Sequence, residues 1–459
     1  FVLFGSLLES AGAGNYFIRV AFAGLGHLRG GPAKAAVVSS GMTGLVSGSS
    51  IANVVTTGTF TIPLMKKVGF KAEKAGAVEV ACSTNGQLMP PVMGAVAFIM
   101  AALLGVPYTD IVIAAIIPAT LYYLALFVQA DFYAAKTGMR GLSQSELPSL
   151  GQTLKSGWYF VFAIGLLIFF LFYMRLEAMA PFYATGALFL TAFLRKDTRP
   201  TLTSFIRFLQ QTGTSTVEIV SILVPIGLIL GSLVVTGLAY SLSSGLVSLT
   251  GGNIALLLLF GALASYIMGM GATITACYVF LALTVSPVLI TLGIDPIAAH
   301  LFVMYGAMLS SITPPVALAS YVAATVAEAP FMKTAFQAVR LGIMLFMLPF
   351  FFVLKPEFIL KGSPMGILEV VITAVVGIII AAAGLEGYLW KIGRLSNPVR
   401  FLFFTAGILI LVPIIWTEIS GAILFLAVLL VLLVRRRVTT APGTDVAVSV
   451  THDATDAPD

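Results

Sequence analysis

Apolar runs long enough to cross a bilayer, or nearly so, recur from one end of this chain to the other. They lie near 1–10, 15–28, 33–47, 77–104, 110–130, 157–174, 177–194, 214–239, 252–268, 298–327, 337–354, 363–384, 400–416 and 418–434. Each is continuous rather than alternating, which excludes a membrane β-barrel. A helix is then the one spanning structure left, because every backbone N–H and C=O must be satisfied without water. At about 20 residues per span, and with some runs counted as half-spans, the chain reads as an all-α polytopic membrane protein of about 11–13 spans. Composition closes off the alternatives. Hydrophobic residues make up 59% of the 459 and charged residues 10%, more apolar surface than a soluble fold of this size can hide. A soluble enzyme, a nucleic-acid-binding protein and a disordered chain are excluded.

The net charge of +6 reads as loop Lys and Arg facing the cytoplasm and anionic lipid. The basic clusters are His27-Leu28-Arg29 with Lys34, Lys66-Lys67 with Lys71 and Lys74, Arg195-Lys196 with Arg199 and Arg207, and Arg435-Arg436-Arg437. The last predicts a cytoplasmic end to the final span. Beyond it, residues 435–459 are expected to form a disordered cytoplasmic tail, since the aromatic-free stretch from Val438 buries too little surface to fold. Residues 140–156 read as a polar connection, and 198–211 as a short basic amphipathic stretch on the membrane surface. Cys82 and Cys277 sit in apolar stretches without metal or redox spacing and read as small buried hydrophobes. The chain opens on Phe1 with no signal-peptide pattern, so it is expected to begin inside a longer protein.

An internal repeat carries most of the functional information. At a constant offset of 224 residues, Ala52, Val55, Pro63, Gly69, Ala75, Pro90, Pro91, Val92 and Ala95 recur as Ala276, Val279, Pro287, Gly293, Ala299, Pro314, Pro315, Val316 and Ala319. Each copy runs from a Gly/Ser/Thr-rich segment to a Pro, a Gly turn and a span broken by Pro-Pro. Such a repeat, inverted across the membrane, is one route to alternating access.

The run from Gly41 to Pro63 is too small and polar for a lipid-facing span. Glycines lower helix stability there, and Ser, Thr and Asn satisfy freed backbone groups. It predicts a re-entrant hairpin with its tip at Ser47–Asn53. Gly269-Met-Gly271-Ala-Thr273-Ile-Thr275 is the second tip. Ser83-Thr84-Asn85-Gly86-Gln87 and Ser310-Ser311-Ile-Thr313 precede the two Pro-Pro breaks. Hydroxyls, an amide and opened carbonyls then converge as hard oxygen donors suited to an alkali cation, with half-helix N-termini that favour an anion. The resulting division is 1–139 for the first repeat (hairpin near 41–64, break near 83–91), 140–212 for connecting and scaffold helices, 213–336 for the second repeat (hairpin near 269–290, break near 310–315), 337–434 for C-terminal membrane helices, and 435–459 for the tail.

Three segments resemble the large membrane subunit of tripartite ATP-independent periplasmic (TRAP) transporters: Ser47 to Phe70, Ser83 to Ala95, and Ala299-His-Leu-Phe with Ser311 to Ala319. The Val-Val-Thr-Thr-Gly-Thr-Phe version at 54–60 is similar to the fused permeases that work with TAXI-type binding proteins. The resemblance covers about residues 1–355, and the spans after 363 look like that branch too. It implies an elevator-type secondary transporter that imports a small organic anion, commonly a carboxylate, across a bacterial or archaeal inner membrane. A periplasmic TAXI-type solute-binding protein would deliver the solute, and an ion gradient, expected to be sodium with protons as the alternative, would drive it. It implies sodium contacts at Ser49, Ser50, Asn53 and Gly86 in one copy and at Gly269, Thr273, Thr275 and Ser310 in the other, and substrate contacts at Ser83, Thr84 and Thr313. It also implies a small membrane subunit or fused N-terminal domain as a partner, which is expected to be missing here.

Among lone residues, an intramembrane carboxylate is a functional candidate, and Glu79 is weighed between that role and an interfacial pair with Lys74 or Lys71. Glu218 reads as a helix-end group, His300 as a satisfied structural histidine, and Arg175 and Glu177 as plain loop. No GxSxG, HExxH or Walker A run is present, so neither an enzyme nor an ATP-driven pump is expected, and no cofactor beyond coupling ions. Two other classes stay open on the residues alone: an ion channel using the same Ser/Thr/Gly breaks as a filter, and a non-transporting membrane assembly subunit.

Overall fold

The structure, a computed structural model, describes residues 1–194, 201–270 and 272–439. Expectations for Arg195, Lys196, Arg199, Gly271 and the tail from 440 onward therefore lie outside the described residues, as do those for the side chains of Glu218 and Arg435–Arg437.

The chain is helical nearly throughout. It opens with α1 (Val2–Ser10) and α2 (Ala13–Leu25). A hairpin follows, with arms α3 (Gly31–Ser47) and α4 (Ser50–Lys67). Next come α5 (Ala72–Thr84), a 3-10 turn at Asn85–Gln87, α6 (Ala95–Leu104) and the 30-residue α7 (Tyr108–Thr137). A peripheral stretch holds α8 (Leu150–Ser156), α9 (Trp158–Ile168), α10 (Ala180–Leu194), α11 (Leu202–Val235) and α12 (Leu238–Thr250). The second hairpin has α13 (Ile254–Gly269) as one arm, with α14 (Ile274–Thr284) and α15 (Ser286–Thr291) as the other. Then come α16 (Pro296–Met308), a 3-10 turn at Leu309–Ser311, α17 (Leu318–Ala327), α18 (Phe331–Leu341) and α19 (Ile343–Leu354). The chain closes with α20 (Pro364–Glu386), α21 (Asn397–Leu411) and α22 (Ile415–Thr439). One departure from all-α is a two-residue ladder of β1 (Tyr388–Leu389) and β2 (Gly393–Arg394), a tight return between α20 and α21.

The offset of 224 seen in the sequence is also the offset of the folded elements. The range of α4 maps onto α14 plus α15, α5 maps onto α16, and the two 3-10 turns map onto each other. Pro90-Pro91 and Pro314-Pro315 are both cis. Gly69 and Gly293 turn the chain at φ 105° and 89°, a region open to glycine and strained for other residues. The copies differ at one place. Pro63 is carried inside a continuous α4, whereas Pro287 sits in the first turn of a separate α15. The helices after the breaks are exchanged: α6 packs on α14 and α16, and α17 packs on α4 and α5.

Among the described residues, six helices are long and apolar enough to cross a membrane unaided, or seven if 144–156 and 158–173, bent by 54°, count as one. The sequence expectation of 11–13 counted apolar runs. The structure cuts several of those runs into helices of 10–17 residues, such as Ala95–Leu104 and Leu318–Ala327, at the Gly and Pro-Pro breaks. Two local expectations change. The stretch expected to lie on the membrane surface is, from Leu202, the start of the long α11, and Glu218 falls inside that helix rather than at its end. The polar connection at 140–156 holds the first limb of the bent pair just described, and the second limb lies beyond it.

Basic residues expected in loops are drawn into ion pairs instead, and two of them, Lys34 and Lys74, are buried. Asp131 of α7 binds Arg29 at 2.5 Å and Lys34 at 2.6 Å, and accepts from Trp390 Nε1 at 2.9 Å. Lys74 of α5 meets Glu386 of α20 at 2.9 Å, with both side chains buried. These contacts fasten the C-terminal helices to the first repeat. Glu177 is also more than loop: its carboxylate accepts from the Tyr108 N–H at 2.9 Å and the Thr109 N–H at 3.1 Å, capping α7 from a distant segment. Cys82 and Cys277 are buried and free, as expected. His300 is buried, with Nδ1 2.8 Å from the Tyr278 hydroxyl, as expected of a structural histidine.

Candidate functional site

The two hairpin tips and the two breaks meet at one cavity of about 450 Å³. Ser47–Ala52 of the first tip and Thr273–Thr275 of the second line it, together with Gln87, Gly94, Ser310 and Ser311 from the breaks. Glu9 of α1 and Gln211 of α11 belong to a third wall, joined by a 2.6 Å hydrogen bond from Gln211 Nε2 to Glu9.

Two helix N-termini open into this space, and each is built locally. Gly48, at φ 55°, ends α3 in the left-handed region, and its N–H returns to the Gly44 carbonyl at 3.3 Å. Ser49 is then extended and caps α4, accepting from the Ala52 N–H at 3.4 Å. In the other copy Thr273 is extended and caps α14, accepting from the Ala276 N–H at 3.3 Å.

The predicted residues fall into two groups. Ser49, Ser50, Gly269, Thr273, Thr275 and Ser310 line the cavity. Gly269 backs directly on the second break, where a Cβ added to it would stand 3.2 Å from Ser310 Cβ. Asn53 and Gly86 form a buried layer behind the first tip. Asn53 accepts from the Thr43 hydroxyl at 2.6 Å and donates to the Ser40 carbonyl at 2.9 Å. Gly86 presses on Gly44, so a Cβ on Gly44 would lie 2.5 Å from Gly86 Cα. Ser50 ties the layers together by donating to the Thr84 carbonyl at 3.3 Å.

Ser83, Thr84 and Thr313 are buried and point into the protein rather than into the cavity. Ser83 donates to Glu79 at 3.2 Å and Thr84 to the Val80 carbonyl at 2.8 Å, while Thr313 donates to the Leu309 carbonyl. Their side chains brace the breaks.

Sequence reasoning missed the hydroxyls behind the first tip. Ser40 and Thr43 of α3, with Thr57 and Thr61 of α4, surround Asn53 and Glu79. Their signal was helical spacing: Ser40 with Thr43, three residues apart, and Thr57 with Thr61, four apart, each fall on one helix face. Glu79 makes no pair with Lys74 or Lys71. It is fully buried among hydroxyls, because Lys74 turns to Glu386 instead. Among the described residues no group of three His, Cys, Asp or Glu side chains is placed to hold a metal ion.

Paired helical hairpins, matched breaks and a shared cavity edged by hydroxyls inside an apolar helical body define a membrane transport protein. The family model described as "Tripartite ATP-independent periplasmic transporter, DctM component" matches residues 1–367, and the chain belongs to that family. The chain is 26% identical over 358 residues to the sialic acid TRAP transporter large permease protein SiaM of Vibrio cholerae, covering 77% of this chain and 81% of that protein. It is 27% identical over 335 residues to the C4-dicarboxylate TRAP transporter large permease protein DctM of Pseudomonas aeruginosa, covering 72% and 77%. It is 25% identical over 336 residues to the isethionate TRAP transporter permease protein DctMQ of Oleidesulfovibrio alaskensis, covering 72% and 52%. The protein is thus the permease component of a secondary transporter, not an enzyme. It is a multi-pass membrane protein of a family that works with a periplasmic solute-binding protein.

Proposed function

We propose that this permease imports a small organic anion, most simply a carboxylate, across a bacterial inner membrane, driven by sodium. The single observation that carries the reading is the cavity of about 450 Å³ shared by both tips and both breaks. Among the described residues its lining has Glu9 as its one charged side chain and no Lys or Arg, so backbone dipoles are the positive groups it offers. The N-termini of α4 and α14 supply the positive end for an anion, and the relatives named for sialic acid, C4-dicarboxylates and isethionate all concern small organic acids. Sodium is assigned to two clusters: Ser49, Ser50, Asn53 and Gly86, and Gly269, Thr273, Thr275 and Ser310. Ser83, Thr84 and Thr313 serve the substrate indirectly, through the backbone of the breaks they brace. Partners are a TAXI-type binding protein and a small membrane subunit or fused N-terminal domain.

Charge placement supports an inverted arrangement. The base of the first hairpin carries Arg29, Lys34, Lys66, Lys67, Lys71 and Lys74, whereas no Lys or Arg occurs between Arg207 and Lys333. By the positive-inside rule the first hairpin enters from the cytoplasm and the second from the periplasm. The repeats 1–139 and 213–336 then form the moving body of an elevator. The segment 140–212 belongs to its surroundings, and the C-terminal helices of 337–434 ride with the first repeat, to which the Lys74–Glu386 and Asp131–Trp390 contacts fasten them.

The test is uptake of labelled carboxylates by proteoliposomes holding the permease with its neighbouring binding protein and small subunit. The expected result is uptake that needs both the binding protein and an inward sodium gradient. Uptake independent of both, or single-channel currents, overturns the reading.

A further inference from the structure

Glu79 lies on α5 behind the first hairpin and is fully buried. Its carboxylate is surrounded by hydroxyls from three helices. Oε1 meets Ser40 of α3 at 3.1 Å, Ser83 of α5 at 3.2 Å and Thr57 of α4, and Oε2 meets Thr61 of α4. Among the described residues no cation answers it. Lys34 of α3 pairs with Asp131, Lys66 of α4 with Glu328, Lys74 of α5 with Glu386, and Arg340 of α18 with Glu386. The titratable groups that feel its charge are the Cys82 thiol on α5 and the Tyr123 phenol on α7, whose hydroxyl donates to the Cys82 carbonyl at 3.0 Å. Glu73 of α5 is half-buried and Lys333 of α18 exposed, and neither pairs with it.

A buried ionised carboxylate without a cation is costly. A metal ion is a poor remedy here, because the packing is close: a Cβ on Gly58 would stand 3.1 Å from Glu79 Cγ. A proton needs no room, and proton counting gives it a place. The Thr57 hydroxyl has one hydrogen and two acceptors, Glu79 Oε1 and the Asn53 carbonyl at 2.7 Å. When Glu79 is ionised, Thr57 donates to it. When Glu79 is protonated, its O–H donates to Thr57 Oγ1, and Thr57 turns its hydrogen to the Asn53 carbonyl. Hydroxyls reorient freely, so both states leave every group satisfied.

We propose that Glu79 is a reversibly loaded proton-binding site, built where both arms of the first hairpin meet α5. Loading adds one proton to the carboxylate and breaks no other bond. Its state is passed through Thr57 to the backbone of Asn53, one layer behind the tip. The site stands or falls independently of the transport reading, because its readout is spectroscopic.

The experiment is infrared difference spectroscopy of the purified chain in lipid nanodiscs, titrated from acid to alkaline pH. The expected result is a protonated-carboxyl C=O band that fades as pH rises and is absent in Glu79→Gln. In Thr57→Val the band persists at a shifted frequency, since its acceptor is gone. Identical carboxyl bands in wild type and Glu79→Gln overturn the proposal, as does a Glu79 band that never responds to pH. Should Glu79→Gln fail to fold, Thr57→Val and Thr61→Val decide: a shift of the titrating band in either supports the site, and no shift in both overturns it.

Discussion

Ser49 and Thr273 stand 224 positions apart and hold equivalent places, each capping the helix that returns from a hairpin tip. Ser49 accepts from the Ala52 N–H at 3.4 Å and Thr273 from the Ala276 N–H at 3.3 Å. Both residues line the same cavity. The two copies therefore present the same device, a hydroxyl-capped helix start, to one space.

Removing a cap of this kind costs about 1 kcal/mol of local helix stability. Ser49→Ala and Thr273→Ala are expected to lower uptake severalfold while shifting thermal unfolding little, and Ser49→Thr and Thr273→Ser to retain it. Paired uptake and melting measurements check this. An unaltered uptake rate in both alanine variants would remove the tips from the mechanism.

Asn53 fixes the layer behind the first tip through Thr43 and the Ser40 carbonyl. Asn53→Ala removes both hydrogen bonds from a buried place, a loss of roughly 1–3 kcal/mol. If that loss falls on the sodium-bound state, half-maximal uptake needs roughly 5–150-fold more sodium. Sodium titration of uptake reads the shift directly. An unmoved titration curve counts against the assignment of this cluster to sodium.

The contact between Gly44 and Gly86 leaves no space for a side chain. A Cβ on Gly44 would fall 2.5 Å from Gly86 Cα, and both are backbone groups that cannot step aside. Gly44→Ala is expected to separate the hairpin from the break, lowering the melting temperature and abolishing uptake. Gly165→Ala, where a new Cβ meets nothing within 4 Å, is the control and should behave as wild type.

Different physical scales decide what was legible beforehand. The hairpins, breaks and repeat are readable because Gly, Pro and small polar residues interrupt apolar runs at matched positions, Ser49 with Thr273 and Pro90 with Pro314. The cavity-lining set was legible for the same reason, since Ser49, Ser50, Thr273 and Ser310 sit at those interruptions. Which hydroxyls face inward was not. Ser83, Thr84 and Thr313 share the composition of the lining residues and differ in helical phase at the end of a span, which hydropathy does not fix. The charges were misread for another reason. Lys74 and Glu386 are 312 positions apart, and local pattern does not pair residues at that separation. The same limit hid Glu177 as the cap of α7.

That long-range pair supplies the last prediction. Lys74 and Glu386 are buried 2.9 Å apart, and Arg340 stands 3.6 Å from the other carboxylate oxygen. Breaking a buried pair from one side leaves a bare charge, at a cost of about 3–5 kcal/mol. Glu386→Gln strands Lys74 and is expected to show the larger loss of thermal stability. Lys74→Met should lose less, because Arg340 remains beside the carboxylate. The double variant Lys74→Met/Glu386→Leu removes both charges from the interior and should recover most of the loss, since an apolar pair needs no desolvation of ions. Melting curves of the three variants in one detergent test the order. If the double variant is less stable than Glu386→Gln, the pair is holding α20 against α5 by more than charge neutralisation.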